Sequence, residues 1–115
     1  LMADSVAPED DAAAEWMNDV ELRRDFSHIK DRQVSEIEVM LQDRGLEIVQ
    51  QEHTRILLQF NDWVARTATP LEEVAALRED FLSASPKVRE SFQIQVAGDD
   101  VHFSWPCLVF RAVKQ

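Results

Sequence analysis

The chain has 115 residues, 45% of them hydrophobic, and a formal net charge of −10, so it can support one hydrophobic core. A single cysteine excludes an internal disulfide, and no apolar run is long enough for a membrane helix. Strong acidity argues against nonspecific nucleic-acid binding, which needs clustered Lys and Arg to displace counterions.

The charge is uneven. Residues 1–31 carry nine acids against three bases, Arg23, Arg24 and Lys30. Residues 1–7 lack periodicity and are read as a flexible N-terminus, followed by a single acidic α+β domain over 8–115. Met2 is read as the native start and Leu1 as an added residue. The run Leu1-Met2-Ala3-Asp4-Ser5 lacks the apolar centre of a secretory signal, and with the lone cysteine this points to the cytoplasm.

Pro8-Glu9-Asp10-Asp11 is a good helix opening, with acids at the positive end of the dipole, and predicts a helix over about 9–30. Ala13, Trp16, Met17 and Val20 share one face, while Leu22, Phe26 and Ile29 fall on another. Such a helix is either covered on two sides or bends near Asp19–Glu21.

Residues 33–44 fit two periods. Val34, Ile37, Met40 and Leu41 lie on a helical face, whereas Ile37, Val39 and Leu41 alternate as in a strand that could turn at Asp43-Arg44-Gly45 into Leu46-Glu47-Ile48. The helix is preferred. Residues 46–66 give the strongest helical signal, because Leu46, Val49, His53, Ile56, Leu57, Phe60, Trp63 and Val64 form one stripe. Its heptad-like spacing is compatible with a homo-oligomer.

Thr67-Ala68-Thr69-Pro70 ends that stretch. Thr69 as cap, Pro70 in the first turn and Glu72 three residues after the cap predict a helix over 70–83, with Leu71, Val74, Leu77, Phe81 and Leu82 inward. Ser85-Pro86 starts a short turn through Val88. The period then becomes two. Phe92, Ile94 and Val96, the turn Ala97-Gly98-Asp99-Asp100, and Val101, Phe103 and Trp105 predict a hairpin. Pro106 interrupts it, and residues 107–113 predict a third strand. The expected fold is therefore α+β, with N-terminal helices (9–30, 33–44, 46–66, 70–83) packed on a small C-terminal antiparallel sheet (91–113).

Chemistry is sparse. His28, His53, His102 and Cys107 have no short ligand spacing, so no metal site is expected. His53 sits on the apolar stripe and reads as a core histidine. His53, His102 and Cys107 could meet where helices join the sheet, but no orienting acid is matched to them. Gly45 and Gly98 stand alone, which excludes a glycine-rich phosphate loop, and Arg23-Arg24 is the only adjacent basic pair. No catalytic residue, metal or cofactor is assigned.

With no credible site, the sequence reads as a non-enzymatic protein-interaction or regulatory domain. Trp16, Met17, Asp19, Val20 and Glu21 are its expected protein-binding residues, facing a basic partner and neither nucleic acid nor membrane. The alternatives are an acidic inhibitor or immunity protein for a basic toxin or nuclease, and a small enzyme or an enzyme's accessory subunit.

Overall fold

A long C-terminal strand organises the molecule. In the computed structural model, which describes residues 2–115, nine elements follow one another. They are β1 (Met2–Ser5), α1 (Asp11–Arg24), α2 (Val34–Asp43), β2 (Leu46–Gln59), α3 (Phe60–Ala65), α4 (Leu71–Leu82), α5 (Pro86–Phe92), β3 (Gln95–Ala97) and β4 (Asp100–Lys114). The reading of Leu1 as an added residue lies outside the described residues.

β4 is the centre of an antiparallel sheet. β2 lies along one edge of it, from Leu46 opposite Lys114 to Gln59 opposite His102, with a bulge between Ile48 and Gln50. The other edge carries β3, joined to β4 through a turn at Gly98, and then β1, from Ser5 opposite Cys107 to Met2 opposite Phe110. Helices and strands thus interleave, and a strand stands at the N-terminal end. This replaces the expected separation of N-terminal helices from a C-terminal sheet. Residues 2–5 have no pattern of their own because three of the four are exposed. The free edge of β4, more than a hundred residues away in the chain, makes them a strand.

The largest correction concerns 46–66, where the helical stripe is a 14-residue strand followed by the short α3. β2 is an edge strand with eleven of its 14 residues exposed and none buried, so burial imposes no period of two on it. Its apolar residues fall at helical intervals by coincidence. Ile48, Val49, Thr54 and Ile56 are β-branched, and the pairing with β4 decides the backbone. Only Phe60, Trp63 and Val64, the end of the stripe, are helical and buried. Pro106 does not divide β4. It pairs with Arg55, and its carbonyl accepts the Val6 N–H at 2.9 Å, so only the missing N–H is forgone.

α1 starts where Asp10 caps it, its carboxylate accepting the Ala13 N–H at 2.9 Å. It ends at Arg24 rather than near 30. The Asp25 carboxylate takes the Ser27 N–H at 3.0 Å and hydroxyl at 2.7 Å, a local turn that competes with further helix. Leu22, Phe26 and Ile29, the second apolar face, are 51%, 93% and 81% exposed. α4 also begins differently from the expected capping box. Pro70 is the cap residue, and the Thr69 hydroxyl donates instead to the Arg24 carbonyl at 3.0 Å.

Alternation along β4 supplies two cores. Val101, Phe103 and Trp105 join an aromatic cluster with Phe60, Trp63, Phe81 and Phe92, in which Phe81 and Phe103 lie 4.8 Å apart and Phe103 and Trp105 4.9 Å. Leu108 and Phe110 form a smaller cluster with Val6, against Val34, Ile37 and Leu41 of α2. Helices therefore cover both faces of β4.

Candidate functional site

The polar residues that meet inside this frame come from β1, α1, α3 and the loop between α1 and α2. α1 places Asn18 and Glu21 three residues apart, on neighbouring positions of one helical face. After the turn at Asp25 the loop folds back onto them. Asn18 holds it there, its Oδ1 accepting the Asp31 N–H at 2.7 Å and its Nδ2 donating to the Asp31 carbonyl at 3.1 Å.

This clamp brings His28 between two carboxylates. Nδ1 lies 3.4 Å from Glu21 Oε2, and Nε2 lies 3.4 Å from Asp31 Oδ2. Glu21 and Asp31 are 7% and 6% exposed, and the His28 side chain 15%. The second oxygen of each carboxylate is fixed from behind. Trp63 Nε1 donates to Glu21 Oε1 at 3.2 Å, and the Ser5 hydroxyl donates to Asp31 Oδ1 at 2.8 Å. The remaining oxygens point at the imidazole, and Asp31 Oδ2 has no hydrogen-bond partner among the described residues. Burial pushes the Glu21 carboxyl above its ordinary range, with the nearby Arg24 charge opposing it. Burial also raises Asp31, against the Ser5 hydrogen bond and His28.

The residues singled out in the sequence are placed differently. Met17 and Val20 are wholly buried, and Trp16 packs on Phe81 and Phe92 at 4.9 and 5.4 Å, so the face built on them looks into the core. Glu21 is buried at the His28 centre. Asp19 is on the surface, where it pairs with Arg23 at 3.2 Å, and Arg23 also reaches Glu73 at 2.6 Å and Asp80.

His53, His102 and Cys107 do not converge. His102 and Cys107 are five residues apart on one strand, about 17 Å at the usual rise. His53 pairs with Leu108 and so shares its face, opposite to that of Cys107. His53 and His102 are exposed. An open groove of about 970 Å³ beside His102 is lined by Gln59, Arg66, Arg89 and Gln93. Its arginines are engaged, Arg66 with Asp62 at 2.8 Å and Arg89 with the Leu82 and Ala84 carbonyls.

Sequence reasoning missed Asn18, His28 and Asp31. The available signal was the spacing of three between His28 and Asp31.

No family model matches the chain. Over its whole length it is 25% identical to an uncharacterized methyltransferase of Bacillus subtilis, YcgJ, and it covers 46% of that protein. Over 85% of its length it is 31% identical to the uncharacterized Escherichia coli protein YafE, covering 47% of it. The fold matches the crystal structure of a Bacillus halodurans protein assigned as a methyltransferase, with a TM-score of 0.89 and 28% identity over 96% of this chain and 52% of that one. It also matches the structure of YcgJ, with a TM-score of 0.85 over 98% of this chain and 49% of that one, at 24% identity. The chain thus spans about half the length of the relatives it matches.

These likenesses overturn the reading of a non-enzymatic interaction or regulatory domain, and with it the expectation that the chain is not part of an enzyme. They favour the enzymatic alternative over the toxin inhibitor. No described helix is long and apolar enough to cross a membrane.

Proposed function

We propose that these residues form the acceptor-side portion of a methyltransferase that works in the cytoplasm. The supporting observation is the likeness to the Bacillus halodurans protein, 28% identical over 96% of this chain at a TM-score of 0.89. Methyl transfer needs a donor such as S-adenosylmethionine. Nucleoside-bearing cofactors are usually held by glycine-rich turns that lead from a parallel strand into a helix. The residues here do not fit that group. Gly45 (φ 74°) follows α2, Gly98 (φ 64°) turns β3 into β4, and the strands are antiparallel. The reading therefore assigns the donor cradle to residues outside these 115. It gives this chain the acceptor side, where the polar centre at His28 lies in a loop with the exposed Phe26 and Ile29.

A chimaera tests it. These residues replace the matching segment of the Bacillus subtilis relative, and calorimetry follows S-adenosylmethionine binding. The chimaera is expected to bind the donor as its parent does, while the 115-residue chain alone binds none. Donor binding by the chain alone, or a folded chimaera that has lost it, would overturn the proposal.

A further inference from the structure

The His28 centre has the geometry of a cation site, and nothing in the methyltransferase reading calls for one. We propose that His28 Nε2 and Asp31 Oδ2, with Asn18 Oδ1 beside them, bind a divalent first-row transition cation of the zinc type. A tetrahedral ion with bonds of about 2.0–2.1 Å holds its ligand atoms about 3.4 Å apart. Nε2 of His28 stands 3.4 Å from Asp31 Oδ2 and 3.4 Å from Asn18 Oδ1. Asp31 is 6% exposed and points its Oδ2, without a hydrogen-bond partner among the described residues, into this space. A buried carboxylate oxygen in that state is costly unless a cation meets it.

The groups behind these ligands are arranged as supports. Glu21 Oε2 sits 3.4 Å from the other ring nitrogen, Nδ1, where a carboxylate fixes the tautomer that leaves Nε2 free for a metal. Trp63 holds Glu21, and Ser5 holds the far oxygen of Asp31. Asn18 Oδ1 spends one lone pair on the Asp31 N–H and keeps a second. Glu21 and Asp31 supply the negative charge of the site, part of which the Arg24 guanidinium already offsets. His28, with 15% of its side chain exposed, gives the ion an entry from solvent. Imidazole with carboxylate and amide oxygens is a borderline donor set, suited to zinc or cobalt(II) rather than to calcium or magnesium.

Zinc is titrated into the full chain by calorimetry, and cobalt(II) is followed by visible absorption and by paramagnetic effects on the NMR spectrum. The wild type is expected to take up one equivalent of zinc, and cobalt(II) should shift and broaden signals around Asn18, His28 and Asp31. Asp31→Asn and His28→Gln should abolish uptake. Glu21→Gln should weaken it about tenfold or more, as loss of an outer support does. His53→Gln and His102→Gln should leave it unchanged. Circular dichroism establishes that each variant is folded. The wild-type NMR experiment stands without any variant. An absence of zinc uptake by the folded wild type, cobalt effects centred on His53 or His102, or undiminished binding in Asp31→Asn would each overturn the proposal.

Discussion

Trp63 and Glu21 are joined across α3 and α1 by a hydrogen bond of 3.2 Å from the indole Nε1 to Oε1, and both residues are buried. One side chain of the aromatic core thereby orients one acid of the polar centre. Trp63→Phe keeps much of the packing and leaves Glu21 Oε1 without its donor. The expected loss is about 1–3 kcal/mol for the unsatisfied acceptor, plus a smaller packing loss. Urea unfolding followed by circular dichroism checks it, and a loss below about 0.5 kcal/mol would show that this bond does not hold the two helices.

Asn18 ties the loop after α1 to the helix through both ends of its amide. Asn18→Ala should cost about 1–3 kcal/mol, because the part-buried Asp31 N–H loses its acceptor and the Asp31 carbonyl its donor. Amide hydrogen exchange should quicken first around Asp31 while the β2–β4 ladder stays protected. Uniform quickening along the chain would mean that the clamp is not local.

Phe81 contacts Trp16, Phe60, Trp63 and Phe103 and is wholly buried, whereas Phe26 is 93% exposed. Phe81→Ala should cost about 3–5 kcal/mol and Phe26→Ala less than about 0.5 kcal/mol. Thermal unfolding of the two variants side by side tests this, and similar losses for both would contradict the assignment of the core.

Asp10 caps α1, and the Ala13 N–H, with the Lys87 ammonium 3.0 Å away, holds its carboxyl below the ordinary 3.8. A folded-state pKa below the unfolded one gives stability that is present above the unfolded pKa and lost as pH falls through the folded one. Asp10→Ala should therefore lower the melting temperature at pH 7, and the gap to wild type should narrow below pH 3.8. A gap that does not depend on pH would show that the charge of the cap is not involved.

Short-range chemistry was legible in the sequence. The acidic start of α1 at Asp10, the short turn at Ser85-Pro86 that becomes α5, and the turn at Gly98 each depend on residues a few positions apart. The length of β2 was not legible, because an exposed edge strand leaves no alternation to read. Nor was the His28 centre, whose members at 5, 18, 21, 28, 31 and 63 come from β1, α1, α3 and the loop after α1 and are brought together only by the fold.

Composition by itself determined an acidic chain with one cysteine, two isolated glycines and no apolar run long enough for a membrane helix. Local patterning determined where α1 begins and where the last hairpin turns. Tertiary structure alone decided that β4 runs unbroken through Pro106, that residues 2–5 and 46–59 are strands beside it, and that α1 buries Met17, Val20 and Glu21 of the face that looked like a contact surface. The reason is that a strand takes its hydrogen bonds from a partner that can lie anywhere in the chain, whereas a helix finds its own within four residues.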